Sequence, residues 1–258
     1  MAVNVHPLAV VEPGAQLGEN VVVGPFCRVG PLVALGDGVV LRSHVCVDGA
    51  TTVGPRCEIW PFASVGTKTQ DLKYVGGNPR LRIGADTVVR ESATISCATA
   101  PDGETVVGDR CLIMAYCHVA HDCIVGNGVI MSNNATLAGH VQVGENAVVG
   151  GMAGVHQFVR IGTMCMVGGC TKLVKDVPPY MMVDGDPAKI FGPNKVGLER
   201  RGVPPETRQA LRDAWKILWR SNLLVDQALD KIETTLPPSP ELQNFVTFVR
   251  TSQRGVIR

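Results

Sequence analysis

The sequence predicts a mainly β protein: a parallel β solenoid over residues 1–190, followed by a small α-helical domain over 191–258. Three observations predict it. Aliphatic residues recur at every sixth position in one phase from Val5 to Leu173. Glycine repeatedly follows the aliphatic residue. By about Pro204 the six-residue pattern is absent and a helical periodicity takes its place.

Val5, Val11, Leu17, Val23, Val29, Leu35, Leu41, Val47, Val53, Ile59 and Val65 carry the first run. The phase lapses at Asp71 and Gly77, returns at Ile83, Val89 and Ile95, misses at Pro101, and runs unbroken from Val107 to Leu173. Of the 29 positions in this phase, 26 are Val, Ile, Leu or Met. Average composition would supply about a third, so chance does not explain the pattern. The fourth residue after each aliphatic is small or β-branched, as in Ala9, Ala15, Val21 and Cys27, and also faces inward. Glycine at positions such as 18, 36 and 144 lets the backbone turn without a Cβ in the way. A helix repeats its apolar face every 3.6 residues and a flat strand every 2. A period of six therefore means short strands joined by turns, stacked so that the aliphatic rungs fill the interior. The lapses mark two excursions from the coil, near 67–82 and 97–105. The first, GTKTQDLKYVGGNPRLR, is polar, and such loops on repeat proteins commonly face the binding side. The second reads as a simple turn.

In the tail, Ala210, Leu211, Ala214, Ile217 and Leu218 follow the spacing of an apolar helix face, as do Leu224, Val225, Ala228, Leu229 and Ile232. LPPSP at 236–240 separates these from a last helix carrying Leu242, Phe245, Val246 and Val249. Arg208, Arg212, Lys216 and Arg220 recur every fourth residue as one basic stripe. That stripe is either a solvated face or a docking strip for an acidic protein.

Composition narrows the function classes. Charged residues make up 18% and hydrophobic residues 45% of the chain, a globular balance. No run approaches the roughly 20 apolar residues of a membrane span. The net charge of +1 argues against nucleic acid as a bulk electrostatic partner. The opening MAVNVHPLAV lacks the basic region and long apolar stretch of a secretory leader. Nine cysteines without regular pairing suit a reducing compartment. A cytoplasmic location is expected.

CHVAHDCIVG, at 117–126, raises the question of a metal site, a general base or core filler. The frame assigns Cys117 and Cys123 to an inward slot, together with Cys27, Cys57, Cys111 and Cys165, so these are small hydrophobes. His118, His121, His140 and His156 occupy no inward slot. The period resembles that of the hexapeptide-repeat family, which implies a left-handed parallel β-helix with three hexapeptides per coil. The handedness comes from the resemblance, because parallel crossovers are otherwise right-handed. Residues 18 apart then stack: His121 over Gly139 and Gln157, Asp122 over His140 and Phe158, Ala138 over His156. His121, His140 and His156 fall within about 10 Å of one another on the outside of three coils. They are either a row of solvated polar groups or a site, with Asn133 and Asn134 nearby. A histidine beside a carboxylate, as His121 is beside Asp122, has the makings of a general base. Gly139 has no side chain to obstruct a substrate, and its N–H is a candidate oxyanion donor.

More specifically, HVAHDCIVGN, NNATLAGHVQVG, GGMAGVHQF, MVGGC, DVPPY and RGVIR occur in the order found in the acyl-[acyl-carrier-protein]–UDP-N-acetylglucosamine O-acyltransferases of lipid A biosynthesis. QDLKYVG, VRESATI and GLERRG also resemble that family, so the likeness spans the chain. It implies a homotrimer with sites between neighbouring β-helices, acyl carrier protein and UDP-N-acetylglucosamine as partners, and no metal or cofactor beyond the carrier's own phosphopantetheine arm. It implies His121 as general base, Asp122 as its orienter and the Gly139 amide as oxyanion donor. His118, His140, His156 and Gln157 would line the sugar and acyl groups, and Asp71 and Lys73 the nucleotide sugar. Asn194, Arg200 and Arg201 would meet phosphate or pantetheine. Gly169 matches a position that limits acyl length, and glycine there implies a longer chain.

The sequence departs from the family pattern at Val196, where Glu is common, at Tyr116, where Asn is frequent, and at 96–100 within TISCATA. These departures leave a 3-amino sugar nucleotide open as the acceptor. Two further alternatives stand at this stage. One is a zinc hydratase of γ-carbonic anhydrase type using His118, His121 and His140; the other is a non-catalytic scaffold.

Overall fold

The computed structural model describes residues 3–258; the first two positions of the expected solenoid lie outside the described residues. Between Asn4–Val5 and Lys172–Leu173 run 26 short strands, most of two residues. They enter three parallel sheets in rotation: Asn4–Val5 opens the first, Val10–Val11 the second and Gln16–Leu17 the third. Outside the excursions each strand pairs with the one 18 residues on, as in His118↔Thr136 and Thr136↔Gly154. The result is a three-sided parallel β-helix.

From the second coil on, both predicted inward rows are inside; the first coil is open to solvent at one end, where Val5 is 39% exposed. Val21, Val23, Cys27 and Val29 are each at most 1% exposed, and the pattern continues to Cys165 and Val167. Burial pushes the thiols of Cys117 and Cys123 up to about 11 and about 12, the behaviour of inert core residues.

The corners differ from expectation in one respect. The glycine after the aliphatic residue is required by close approach of the next coil. A Cβ on Gly36 would lie 2.8 Å from the Pro55 nitrogen. The left-handed conformation falls two residues later, and residues with side chains adopt it: Asn20, Phe26, His44, Arg56, Asp122, His140 and Phe158 all have φ between 58° and 64°. Each costs on the order of 1 kcal/mol, offset by the ladder on either side.

Both excursions leave from the same corner, between the second and third sheets. The first joins Ser64–Thr67 to Arg80–Ile83 and the second joins Thr94–Ser96 to Glu104–Val107. They are shorter than predicted, because Arg80–Ile83 pairs along its length with Ala50–Val53 and Glu104–Val107. Residues 80–82 and 104–105 thereby belong to the ladder.

Beyond Leu173 the coil tightens, with Val177 bridging to Ile161. An antiparallel pair, Met181–Asp184 and Lys189–Pro193, closes the first sheet. Four helices follow: α1 (Lys195–Arg200), α2 (Pro205–Arg220), α3 (Val225–Thr235) and α4 (Pro240–Arg250). Leu211, Ala214, Leu218, Leu229, Ile232, Phe245 and Val246 bury their shared faces. Leu224 does not join them: it precedes the first turn of α3 and is exposed. The final residues fold back onto the solenoid, where the buried Asp176 accepts hydrogen bonds from the Arg160 amide (2.8 Å) and the Ser252 hydroxyl (2.7 Å).

Candidate active site

The corner between the second and third sheets carries the cluster. His121 occupies the first turn position after the strand His118–Val119 and Asp122 the left-handed position beside it. Asp122 Oδ2 lies 2.8 Å from His121 Nδ1. A carboxylate only accepts, so Nδ1 carries the proton and Nε2 presents its lone pair. Asp122 is itself fixed. The Thr99 amide donates to Oδ2 at 3.1 Å, and the Asp122 amide donates to Thr105 Oγ1 at 2.9 Å.

The imidazole lies directly over Gly139. A Cβ on that residue would come within 2.4 Å of the ring, so only glycine fits beneath it. Among the described residues the Gly139 amide donates to no acceptor, since the ladder uses its neighbours Ala138 and His140 instead. His140 meets His121 edge-on at 5.2 Å and stacks on Phe158 at 4.6 Å. Its Nε2 is 3.8 Å from Asp122 Oδ2. Asp71 arrives from the first excursion, its Oδ2 3.8 Å from His121 Nε2; this is beyond hydrogen-bond reach and leaves Nε2 without a protein partner at that distance. Lys73 is exposed next to it, its amide donating to Asp71 Oδ1 at 3.0 Å.

His118 stands on the adjoining sheet face, its Nδ1 2.7 Å from Thr94 Oγ1. Burial, with the charge of His121 adding, holds its pKa below the usual 6.5. His156 and Gln157 lie exposed on the same corner two coils along, and His156 Nδ1 is 3.1 Å from the Gln157 carbonyl and 3.4 Å from Arg254. A cleft of about 700 Å³ runs from Asp122 and His140 past Phe158 to Arg254.

The remaining predicted residues lie elsewhere. Gly169 is exposed on the corner between the first and second sheets, the corner that also bears Tyr116. Asn194 caps α1, accepting from the Gly197 amide and donating to the Met164 carbonyl on the third corner. Arg200 and Arg201 are exposed at the end of α1, and Val196 is exposed within it. One copy of the chain thus spreads the expected site over three corners. Sequence reasoning missed Thr99 and Thr105. The available signal was that both lapses of the six-residue phase fall in the same slot of the coil.

Among the described residues, one group has the donor atoms to hold a metal ion: His121, Asp122 and His140, within 4.8 Å of one another. It shares two histidines with the set weighed from the sequence and has Asp122 where that set had His118. In it, His121 Nδ1 is hydrogen-bonded to the carboxylate.

Two family models match: bacterial transferase hexapeptide repeats over residues 104–139, and UDP-N-acetylglucosamine O-acyltransferase domain 2 over residues 176–257. The acyl-[acyl-carrier-protein]–UDP-N-acetylglucosamine O-acyltransferase of Thermodesulfovibrio yellowstonii is 45% identical over 255 residues, covering 98% of this chain and 99% of that one. LpxA of Acinetobacter baumannii superposes with a TM-score of 0.95 at 42% identity, covering 98% and 99% of the two chains. The UDP-N-acetylglucosamine acyltransferase of Bacteroides fragilis gives 0.97 at 37% identity, covering 98% and 100%. With such identity over near-complete coverage in both directions, the chain belongs to the acyl-[acyl-carrier-protein]–UDP-N-acetylglucosamine O-acyltransferase family.

Proposed function

We propose that the chain transfers an (R)-3-hydroxyacyl group from acyl carrier protein to the 3-hydroxyl of UDP-N-acetylglucosamine, the first step of lipid A biosynthesis. The observation that carries the chemistry is the 2.8 Å pair of His121 Nδ1 and Asp122. With Nδ1 protonated, Nε2 removes the proton from the sugar hydroxyl as its oxygen attacks the thioester carbonyl. Asp122 stabilises the imidazolium that forms, and the Gly139 amide donates to the oxyanion. The tetrahedral species then expels the pantetheine thiolate, which recovers the proton from His121. No acyl-enzyme forms. Asp71 and Lys73 hold the nucleotide sugar from the excursion, while His118, His140, His156 and Gln157 line the reacting groups.

A homotrimer accounts for residues spread over three corners: threefold packing places unlike corners of neighbouring copies together in a closed ring. Gly169, Asn194, Arg200 and Arg201 then complete a neighbour's site. A ridge of exposed apolar residues, Phe26, Phe62, Tyr116 and Met152, marks the corner between the first and second sheets, as expected of an interface. Arg208, Arg212, Lys216 and Arg220 form the docking strip for the acidic carrier. Nine unpaired cysteines support a cytoplasmic location. No helix among the described residues is long and apolar enough to cross a membrane.

The test is to incubate the protein with UDP-N-acetylglucosamine and a series of (R)-3-hydroxyacyl carrier proteins and to weigh the product. We expect an ester with a long acyl chain, formed about 10²- to 10⁴-fold less efficiently by His121→Ala. The 96–100 departure touches Asp122 through Thr99, so a 3-amino sugar nucleotide belongs in the same assay; a preference for it would move the product to an amide. Stoichiometric zinc without acyl transfer would favour the hydratase alternative, and a His121→Ala variant as active as the parent would overturn the mechanism.

A further inference from the structure

The two excursions leave the coil from one corner, and their backbone groups need partners that the ladder does not supply. In part they supply each other. The Cys97 amide donates to the Thr67 carbonyl at 3.0 Å and the Asn78 amide to the Pro101 carbonyl at 2.7 Å. A Cβ on Gly77 would come within 2.6 Å of Pro101, so the two backbones touch there. Between these contacts the side chains of Thr69 and Thr99 meet, their hydroxyl oxygens 2.8 Å apart. Thr69 is 6% exposed, and a buried hydroxyl is paired; its partner here stands on the other excursion.

Each threonine also holds one side of the imidazole. Thr69 Oγ1 accepts from the Asp71 amide at 3.1 Å, and Asp71 places its Oδ2 3.8 Å from His121 Nε2. The Lys73 amide orients that carboxylate in turn, donating to Oδ1 at 3.0 Å. On the other side the Thr99 amide donates to Asp122 Oδ2, the oxygen that lies 2.8 Å from His121 Nδ1. The contacts close a ring: His121, Asp122, Thr99, Thr69, Asp71 and back to His121. In that ring the hydroxyl pair is the link that crosses from one excursion to the other. The gap between Asp71 and Nε2, too long for a hydrogen bond, is set by it.

We propose that Thr69 and Thr99 are positioning residues. Their hydroxyl pair fixes the excursion that carries Asp71 at one distance from the His121–Asp122 pair, so that the sugar nucleotide is presented to Nε2 in register. The inference rests on the acyl-transfer function proposed above, with Asp71 as a contact of the acceptor, and adds the link that sets their separation. Both threonines act through Asp71 rather than on the reacting atoms. Valine in place of either keeps shape and burial and removes the hydroxyl. In Thr99→Val the backbone N–H to Asp122 remains, so the dyad keeps its partner while the Asp71 side is released.

The experiment is steady-state kinetics on the whole protein, varying UDP-N-acetylglucosamine at saturating (R)-3-hydroxyacyl carrier protein and then the reverse. Thr99→Val should raise the KM for the sugar nucleotide about fivefold, the factor for one neutral hydrogen bond, and leave the KM for the carrier unchanged. Thr69→Val should raise it further, because the Asp71 amide loses its acceptor as well. Thr69→Ser and Thr99→Ser keep the hydroxyl and should restore the parent values. Asp71→Ala should itself raise the sugar KM, and adding Thr99→Val to it should have no further effect. Thr99 is only half-buried, so its valine variant folds even if that of Thr69 does not; circular dichroism checks both. A sugar KM at the parent value in the valine variants, or in Asp71→Ala, overturns the proposal. So does a loss shared equally by both substrates, or one that persists undiminished beside Asp71→Ala, since either marks a purely structural role. If the intact protein makes no acylated sugar, the acyl-transfer function falls too; if it does and the valine variants match it, only the positioning role falls.

Discussion

At the scale of single residues, the site is a stack of small tolerances around His121. His121→Ala removes the proposed base and should lower kcat/KM by about 10²- to 10⁴-fold, read with saturating donor. Gly139→Ala keeps every polar group yet drives a methyl to within 2.4 Å of the imidazole. The ring must tilt away, and a displacement of that size is expected to lower kcat by about 100-fold; the assay is the same, with circular dichroism as the fold control. His118 makes a different prediction. Its pKa is held below 6.5 by burial, so the unfolded chain binds its proton more readily than the folded one. The stability owed to neutral His118 is therefore complete above pH 6.5 and is lost as pH falls toward the depressed value. Urea unfolding at about pH 7.5 and about pH 5.5 should show a smaller acid loss in His118→Gln than in the parent.

At the scale of elements, the coils were legible because a period of six leaves one solution for which residues face in. The tail helices were legible for the same reason at 3.6. The left-handed corners were not. Asn20, Phe26, Arg56 and Asp122 share that conformation and have no side-chain property in common, because the ladder above and below imposes it. The role of the second excursion was equally hidden: Thr99 contributes a backbone N–H, which almost any residue supplies. The attachment of the tail yields a measurable consequence. Asp176, 1% exposed, accepts from the Arg160 amide and the Ser252 hydroxyl. Asp176→Ala strands both donors and should cost about 2 to 3 kcal/mol in urea unfolding, with proteolysis opening the C-terminal segment first.

At the scale of the whole molecule, the 18-residue stacking brought His121, Asp122, Gly139 and His140 to one region, and the family resemblance added Asp71, but the sequence offered no view of how corners of different copies meet. A trimer is expected to sediment at three times 27.4 kDa, and Phe62→Asp with Tyr116→Asp should yield folded monomers without activity. The 18-residue register has a broader implication. A coil of this kind is a scale with only whole divisions. Slipping one residue would turn a row of valines toward water, so the separation of two groups along the axis changes only when an entire turn is added or excised. Finer adjustment is left to the outward side chains and to what bulges from the edges, and both insertions in this protein hang from a single edge.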